Sequence, residues 1–136
     1  MKPVVQREPT GCGIASVAAL AGVSYARAKR AATALGIEAD DRRLWSETSH
    51  IRRLLKRFRL SASAKPRAFR SWTLLPDIAL LATKWHREAG KPVWHWAVFV
   101  REGNQSYVLD SKNDLRRRRR TDFGRIKPKW SMAVHR

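Results

Sequence analysis

The first half of the chain repeats apolar residues at helical spacing, and the second half does not. Ile14, Val17, Ala18 and Ala21 fall at i, i+3, i+4 and i+7, which predicts a helix over 12–22 ended by Gly22. Its small side chains predict close packing on its neighbours, as a buried central helix needs. Ser24 is a capping residue for a second helix, about 24–35, that stops at Gly36. Tyr25, Ala28, Ala32 and Leu35 share its inner face, with Arg27, Lys29 and Arg30 outside. Residues 37–47 read as a loop with an acidic tip from Glu38 to Asp41. Thr48 or Ser49 caps a third helix to about Phe58. Ile51, Leu54, Leu55 and Phe58 face inward there, and Arg52, Arg53, Lys56 and Arg57 form a charged outer surface.

After Arg59 the period changes. Residues 60–64 read as a short strand, and 66–75 as irregular chain with one helical turn. Ile78 to Thr83 is a short apolar run that periodicity alone does not assign. Pro76 before it and Gly90-Lys91-Pro92 after it favour a buried strand leading into a hairpin, against a helix running through Trp85. Residues 93–101 read as a strand, Glu102-Gly103-Asn104 as a turn and 105–109 as the returning strand. Residues 112–122 are polar and basic, and 130–134 close the pattern as a last strand. Helices first, then an antiparallel sheet, is an α+β order. The length fits a single domain over residues 1–136.

Composition narrows the partners. The 43% hydrophobic content is that of a globular chain. No apolar run approaches the ~20 residues of a membrane-spanning helix. Met1 to Gln6 contains no signal-peptide apolar region. One cysteine excludes an internal disulfide, and a free thiol points to a reducing, cytoplasmic setting. The net charge is +18, unevenly placed. Residues 25–70 carry 13 basic and four acidic residues and residues 111–136 carry ten and two, while 71–110 balance at four and four. Two basic regions of this kind attract polyanions: nucleic acid, acidic protein or anionic lipid. The run Arg116–Arg120 repels itself and is expected to be flexible or phosphate-bound. Trp94, Trp96 and Phe99 are the rings that could stack bases, but alternation at 94 and 96 is also what a strand face packed on a helix gives.

The candidate chemistry begins at Cys12. It stands where the first helix starts, with Gly11 and Gly13 on either side and Gln6 six residues before it. A thiolate there feels the positive end of the helix dipole. The flanking glycines are expected to leave the thiol uncrowded. The Cys12 backbone N–H, unpaired at a helix start, and the Gln6 side-chain amide are candidate oxyanion donors, each contributing roughly 2.7–4 kcal/mol to a transition state. Of the four histidines, only His95 lies within a firmly predicted strand. Asp110 follows fifteen residues later, at the end of the partner strand. A hairpin turning at 102–104 brings 95 and 110 to one end, where the carboxylate can orient the imidazole. Cysteine, histidine and carboxylate in this order form the set required by a thiol acyl-transfer enzyme. No metal-ligand spacing and no glycine-rich phosphate loop accompany them, so no cofactor is expected.

The quoted motifs resemble those of papain-like cysteine peptidases, in particular the bacteriocin-processing, double-glycine leader peptidase domain of bacterial ABC exporters and its stand-alone relatives. The matches are Gln6, Cys12-Gly13-Ile14-Ala15, His95-Trp96-Ala97-Val98 and Tyr107-Val108-Leu109-Asp110. They keep the family's order and spacing across most of residues 4–125. Gly11 stands where relatives commonly carry Asp, and the arginine run is foreign to the family pattern. The resemblance implies a papain-like α+β fold with N-terminal helices on a C-terminal antiparallel sheet. It also implies a cysteine peptidase: Cys12 as nucleophile, His95 as base and acid, Asp110 as orienting group and Gln6 as oxyanion donor. The expected partner is a peptide or protein substrate, acidic in keeping with the basic regions, which are expected to recruit substrate rather than take part in chemistry. Two alternatives stay open: a polyanion-binding module with a vestigial triad, and a deamidase or transglutaminase-like acyl transferase.

Overall fold

The computed structural model describes residues 1–136 and contains three α-helices followed by a seven-stranded antiparallel sheet, an α+β arrangement. Helix α1 spans Cys12–Ala21 and α2 Tyr25–Ala34. Gly22 closes α1 in the left-handed conformation, φ 70°, its N–H donating to the Ala18 and Ala19 carbonyls. Ser24 caps α2 by accepting from the Arg27 N–H at 3.1 Å. Helix α3 spans Ser49–Arg57. The segment read as a loop at 37–47 holds a 3-10 turn, Arg42–Trp45, capped by Asp41, with Leu44 fully buried beneath it. Every residue of α1 from Cys12 to Leu20 is buried, as its alanine-rich composition predicts.

The strands are β1 (Ser61–Ala62), β2 (Arg67–Ala68), β3 (Ile78–Glu88), β4 (Lys91–Glu102), β5 (Gln105–Leu109), β6 (Arg119–Arg120) and β7 (Trp130–His135). Their order across the sheet is β1-β7-β3-β4-β5-β6, with β2 also paired to β7. Both faces are covered. Leu80 and Ala82 of β3, Trp94, Trp96, Val98 and Val100 of β4, and Tyr107 and Leu109 of β5 join the helices in one core. The alternate residues Ala79, Leu81, Ala97, Phe99 and Val108 form a second, smaller core with Leu75 and Ile126 from the connecting segments. Double coverage explains why Ile78 to Thr83 is apolar without a period: in such a strand both side-chain sets are inside.

Two expectations are corrected. Strand β3 does not end at Thr83 but runs to Glu88, and the hairpin turn is Ala89-Gly90 rather than Gly90-Lys91-Pro92. Both turn residues have positive φ, 50° and 78°, which fits a two-residue turn whose twist matches the flanking strands. The second half of the arginine run, Arg118–Arg120, is held in place. Arg119 and Arg120 form β6 on the edge of the sheet, Arg119 lying 3.8 Å from the centre of the Tyr107 ring. Its self-repulsion is relieved because Arg120 faces two carboxylates and Arg118 bonds the carbonyls of Lys112 and Asn113. The tryptophans do pack as the alternation at 94 and 96 suggests, on the face that meets the helices, and are not available to bases. Trp94 and Trp96 are buried and pack edge-on with Trp130 at 5.0 to 5.5 Å, and the Trp96 Nε1 donates to the Leu44 carbonyl.

Candidate active site

A tight loop, Arg7 to Gly11, delivers Cys12 to the start of α1. Gln6 fixes this loop. Its backbone N–H donates to the Ser111 carbonyl at 3.0 Å, and its Oε1 accepts from the Ser111 hydroxyl at 2.8 Å. Its amide nitrogen donates to the carbonyls of Glu8 and Pro9, each at 3.1 Å. The loop that leads into Cys12 is thereby tied to the residue after Asp110. These bonds also correct the expected role: the Gln6 amide holds its own loop and is not presented as a second oxyanion donor. The Cys12 N–H does match expectation, having no acceptor within the chain, and Gly11 adds no side-chain cap.

The glycines beside the thiol have a different reason from the one expected. A Cβ at Gly11 would collide with the Tyr25 hydroxyl, and one at Gly13 with Ile51 and Trp96. They let α1 approach α2, α3 and the sheet. The sulfur itself is not uncrowded: Cys12 is 0% exposed. The Trp96 N–H donates to Sγ at 3.4 Å. A strand N–H lies in the plane of its sheet, and β5 pairs with β4 only as far as Val98 and Leu109. Sγ therefore sits at the open edge of β4, just past the end of β5.

His95 and Asp110 are delivered to the same place by β4 and β5. The Nε2 of His95 meets Asp110 Oδ1 at 2.7 Å. Asp110 Oδ1 also accepts from the Lys112 N–H at 3.2 Å, and Oδ2 accepts from Arg120 at 3.0 Å. Nδ1 is the ring nitrogen left for Cys12. Burial lowers the His95 pKa, but the bonded Asp110 carboxylate and the neighbouring Cys12 sulfur outweigh it and push the value up to about 9. Burial likewise opposes ionisation of Asp110, and His95, Lys112 and Arg120 bring its carboxyl down to about 2. The structure thus brings Cys12, His95 and Asp110 together, and the groups around the ring favour its cationic form.

A cleft of about 390 Å³ opens over this group, lined by Gln6, Glu8, Trp45, Lys84, Trp94, His95 and Lys112 among others. Larger hollows lie elsewhere, about 610 Å³ at the far end of α1 and about 820 Å³ against Phe69 and Leu74. Of Cys12, His95 and Asp110 only His95 reaches a cleft wall, and it lines the smaller cleft and neither of the larger hollows. No set of three or more His, Cys, Asp or Glu side chains is arranged to hold a metal ion.

Two participants escaped the reading of the sequence. Arg120 was one of five identical neighbours, with no local pattern to separate it. The only signal was Asp122 two residues on: at strand spacing the two share a face, and Arg120 bonds both Asp122 and Asp110. Arg120 thus belongs to the group around Asp110, unlike the exposed Arg116 and Arg117. Lys84 was hidden in an apolar strand. Comparison with protein-family models, with curated proteins and with solved structures found no match. No helix is long and apolar enough to cross a membrane.

Proposed function

We propose that this chain is a cysteine-nucleophile hydrolase of papain-like type that cleaves a peptide bond. The observation that supports it most is the convergence of the Cys12 thiol, at a helix start, on an imidazole bonded to Asp110 at 2.7 Å. The Cys12 thiolate attacks the substrate carbonyl carbon, and its oxygen takes the negative charge. The Cys12 N–H, with no acceptor of its own, donates to that oxyanion. As the tetrahedral adduct collapses, His95 gives its Nδ1 proton to the departing amine, leaving a thioester. Water then attacks the thioester carbonyl, with His95 taking up its proton, and the Cys12 thiolate is released from the acid product, restoring the starting thiolate and protonated ring. Asp110 keeps the ring oriented and stabilises its cationic form throughout.

Since the sulfur is buried, part of the cleft wall has to yield when a substrate binds. The test is trapping. A peptidyl epoxide should add to the intact protein once, at Cys12, as read by mass spectrometry. The adduct should vanish in Cys12→Ala and form much more slowly in His95→Ala. No adduct with native protein would end the hydrolase reading.

The burial of the sulfur also favours a second reading, a polyanion-binding module with a vestigial triad. Arg116 and Arg117 are exposed and outside every ion pair, as a polyanion contact requires. In that case Cys12→Ala changes no activity of the protein, and salt-sensitive binding to nucleic acid is its whole phenotype. A deamidase using the same three residues would leave the peptide chain uncut and increase its mass by about one dalton per converted amide, while a transglutaminase-like transferase would join an amine to it.

A further inference from the structure

Between Thr83 and His86 the pairing of β3 with β4 shifts register, and within the shift Lys84 adopts a left-handed backbone, φ 51°. For a lysine this conformation is strained, and irregularities of this kind re-aim side chains. Here the irregularity sets Lys84 in the lining of the cleft that also holds His95. Lys112 lines the same cleft, fixed in place because its own N–H donates to Asp110.

Both lysines thus line one cleft. The Lys84 pKa is lowered first by burial and then by the charge of Lys112, with the charge of Asp110 acting the other way. No carboxylate forms an ion pair with Lys84, while Lys112 has only Asp114 at 3.7 Å. The nearby acids are already engaged: Asp110 by His95 and Arg120, Glu8 by Lys29 and Glu88 by Arg42, the last two at 2.6 Å. Two cations that repel each other, one on a strained backbone and without a counterion, make a place for an anion at the edge of the reacting group.

We infer that Lys84 and Lys112 form an anion-recognition pair, and that the substrate carries a carboxylate flanking the bond that Cys12 attacks. This rests on the peptidase reading above. The carboxylate belongs either to an Asp or Glu side chain or to the C-terminus of the substrate. An ammonium–carboxylate contact in a partly enclosed cleft is stronger than a neutral hydrogen bond and discriminates against the uncharged isostere.

The test is a randomised peptide library with blocked termini, cleaved by the full chain, its products sequenced by mass spectrometry. A twin library carries free C-termini. Native protein should enrich Asp and Glu over Asn and Gln about tenfold or more at one position flanking the cut. Enrichment in the blocked library assigns the carboxylate to a side chain. Cutting confined to the free library, at a fixed distance from the end, assigns it to the C-terminus. K84M/K112M should bring the Glu-to-Gln ratio to about one, and K84E/K112E should reverse it toward Lys and Arg. Reversal is an outcome that misfolding does not produce. Cleavage without acidic preference, or a preference unchanged in both double variants, overturns the anion pair and leaves the peptidase reading standing. No cleavage of either library and no epoxide adduct overturns the peptidase reading and this inference with it.

Discussion

Replacing Asp110 by Asn keeps the shape of the side chain next to His95 and removes its charge. In the native protein the ring, ordinarily near 6.5, is raised to about 9. That rise corresponds to about 3 kcal/mol of favourable interaction with the protonated ring, at about 1.4 kcal/mol per unit. The lowering of Asp110 to about 2 contains the same coupling seen from the other partner, beside the bonds from Lys112 and Arg120, and is not added to it. A raised histidine contributes stability that is complete below about pH 6.5 and is lost as pH rises through about 9. The lowered carboxyl contributes above its ordinary 3.8 and is lost as pH falls through about 2. The pair is therefore at full strength between about pH 4 and 6.5. Urea unfolding of the native protein should lose, relative to Asp110→Asn, the share of this roughly 3 kcal/mol that belongs to Asp110 and not to Cys12, between pH 6.5 and 9. Taking the difference between the two proteins cancels tyrosines and lysines that titrate at the upper end. The companion assay follows the His95 ring by NMR: its pKa should fall from about 9 toward 6.5 in the variant. Parallel stability curves, or a ring that still titrates near 9 without the carboxylate, would refute this electrostatic reading of the site.

Coupling between sulfur and ring predicts that Cys12→Ala also lowers the His95 pKa by NMR, and that His95→Ala slows iodoacetamide alkylation of Cys12; no change in either separates the two groups. Arg120→Gln should raise the Asp110 pKa and cost about 1–3 kcal/mol in chemical denaturation by leaving a buried carboxylate oxygen short of a partner, whereas Arg116→Gln and Arg117→Gln should stay within about 0.5 kcal/mol of native. Gly13→Ala should destabilise by about 1–3 kcal/mol on thermal or urea unfolding, because the added methyl meets Ile51 and Trp96; a neutral outcome would mean that α1 can shift off the sheet.

Local chemistry sufficed for the helices and for the order of the elements. Ser24, Gly22 and Gly36 end or begin helices through bonds within a few residues, and those bonds form wherever the segment goes. Alternation along 93–101 and 105–109, with a turn at Gly103, was enough to bring residues 95 and 110 to one end of a hairpin. That is why His95 and Asp110 were legible as a pair, and why Cys12 at a helix start was legible as a thiol with an unpaired N–H. The length of β3 was not legible. Its outer half has polar side chains, and pairing with β4 extends it past the point where its own composition would stop.

What depends on approach between distant segments was decided only by the tertiary structure. Gln6 has two groups of partners, Ser111 and its own loop, and sequence spacing cannot say which atoms its amide meets. The space around Gly11 and Gly13 belongs to Tyr25, Ile51 and Trp96, which arrive from three other elements. Arg120 is one of five equal cations until the sheet sets Asp110 and Asp122 beside it. Lys84 points into the cleft because a register shift against β4 turns its backbone. Helix caps and strand alternation are short-range and so are written in consecutive residues; hydrogen-bond assignment, steric room and ion pairing depend on distances of a few ångströms between segments far apart in the chain, and those exist only after the sheet has closed on the helices.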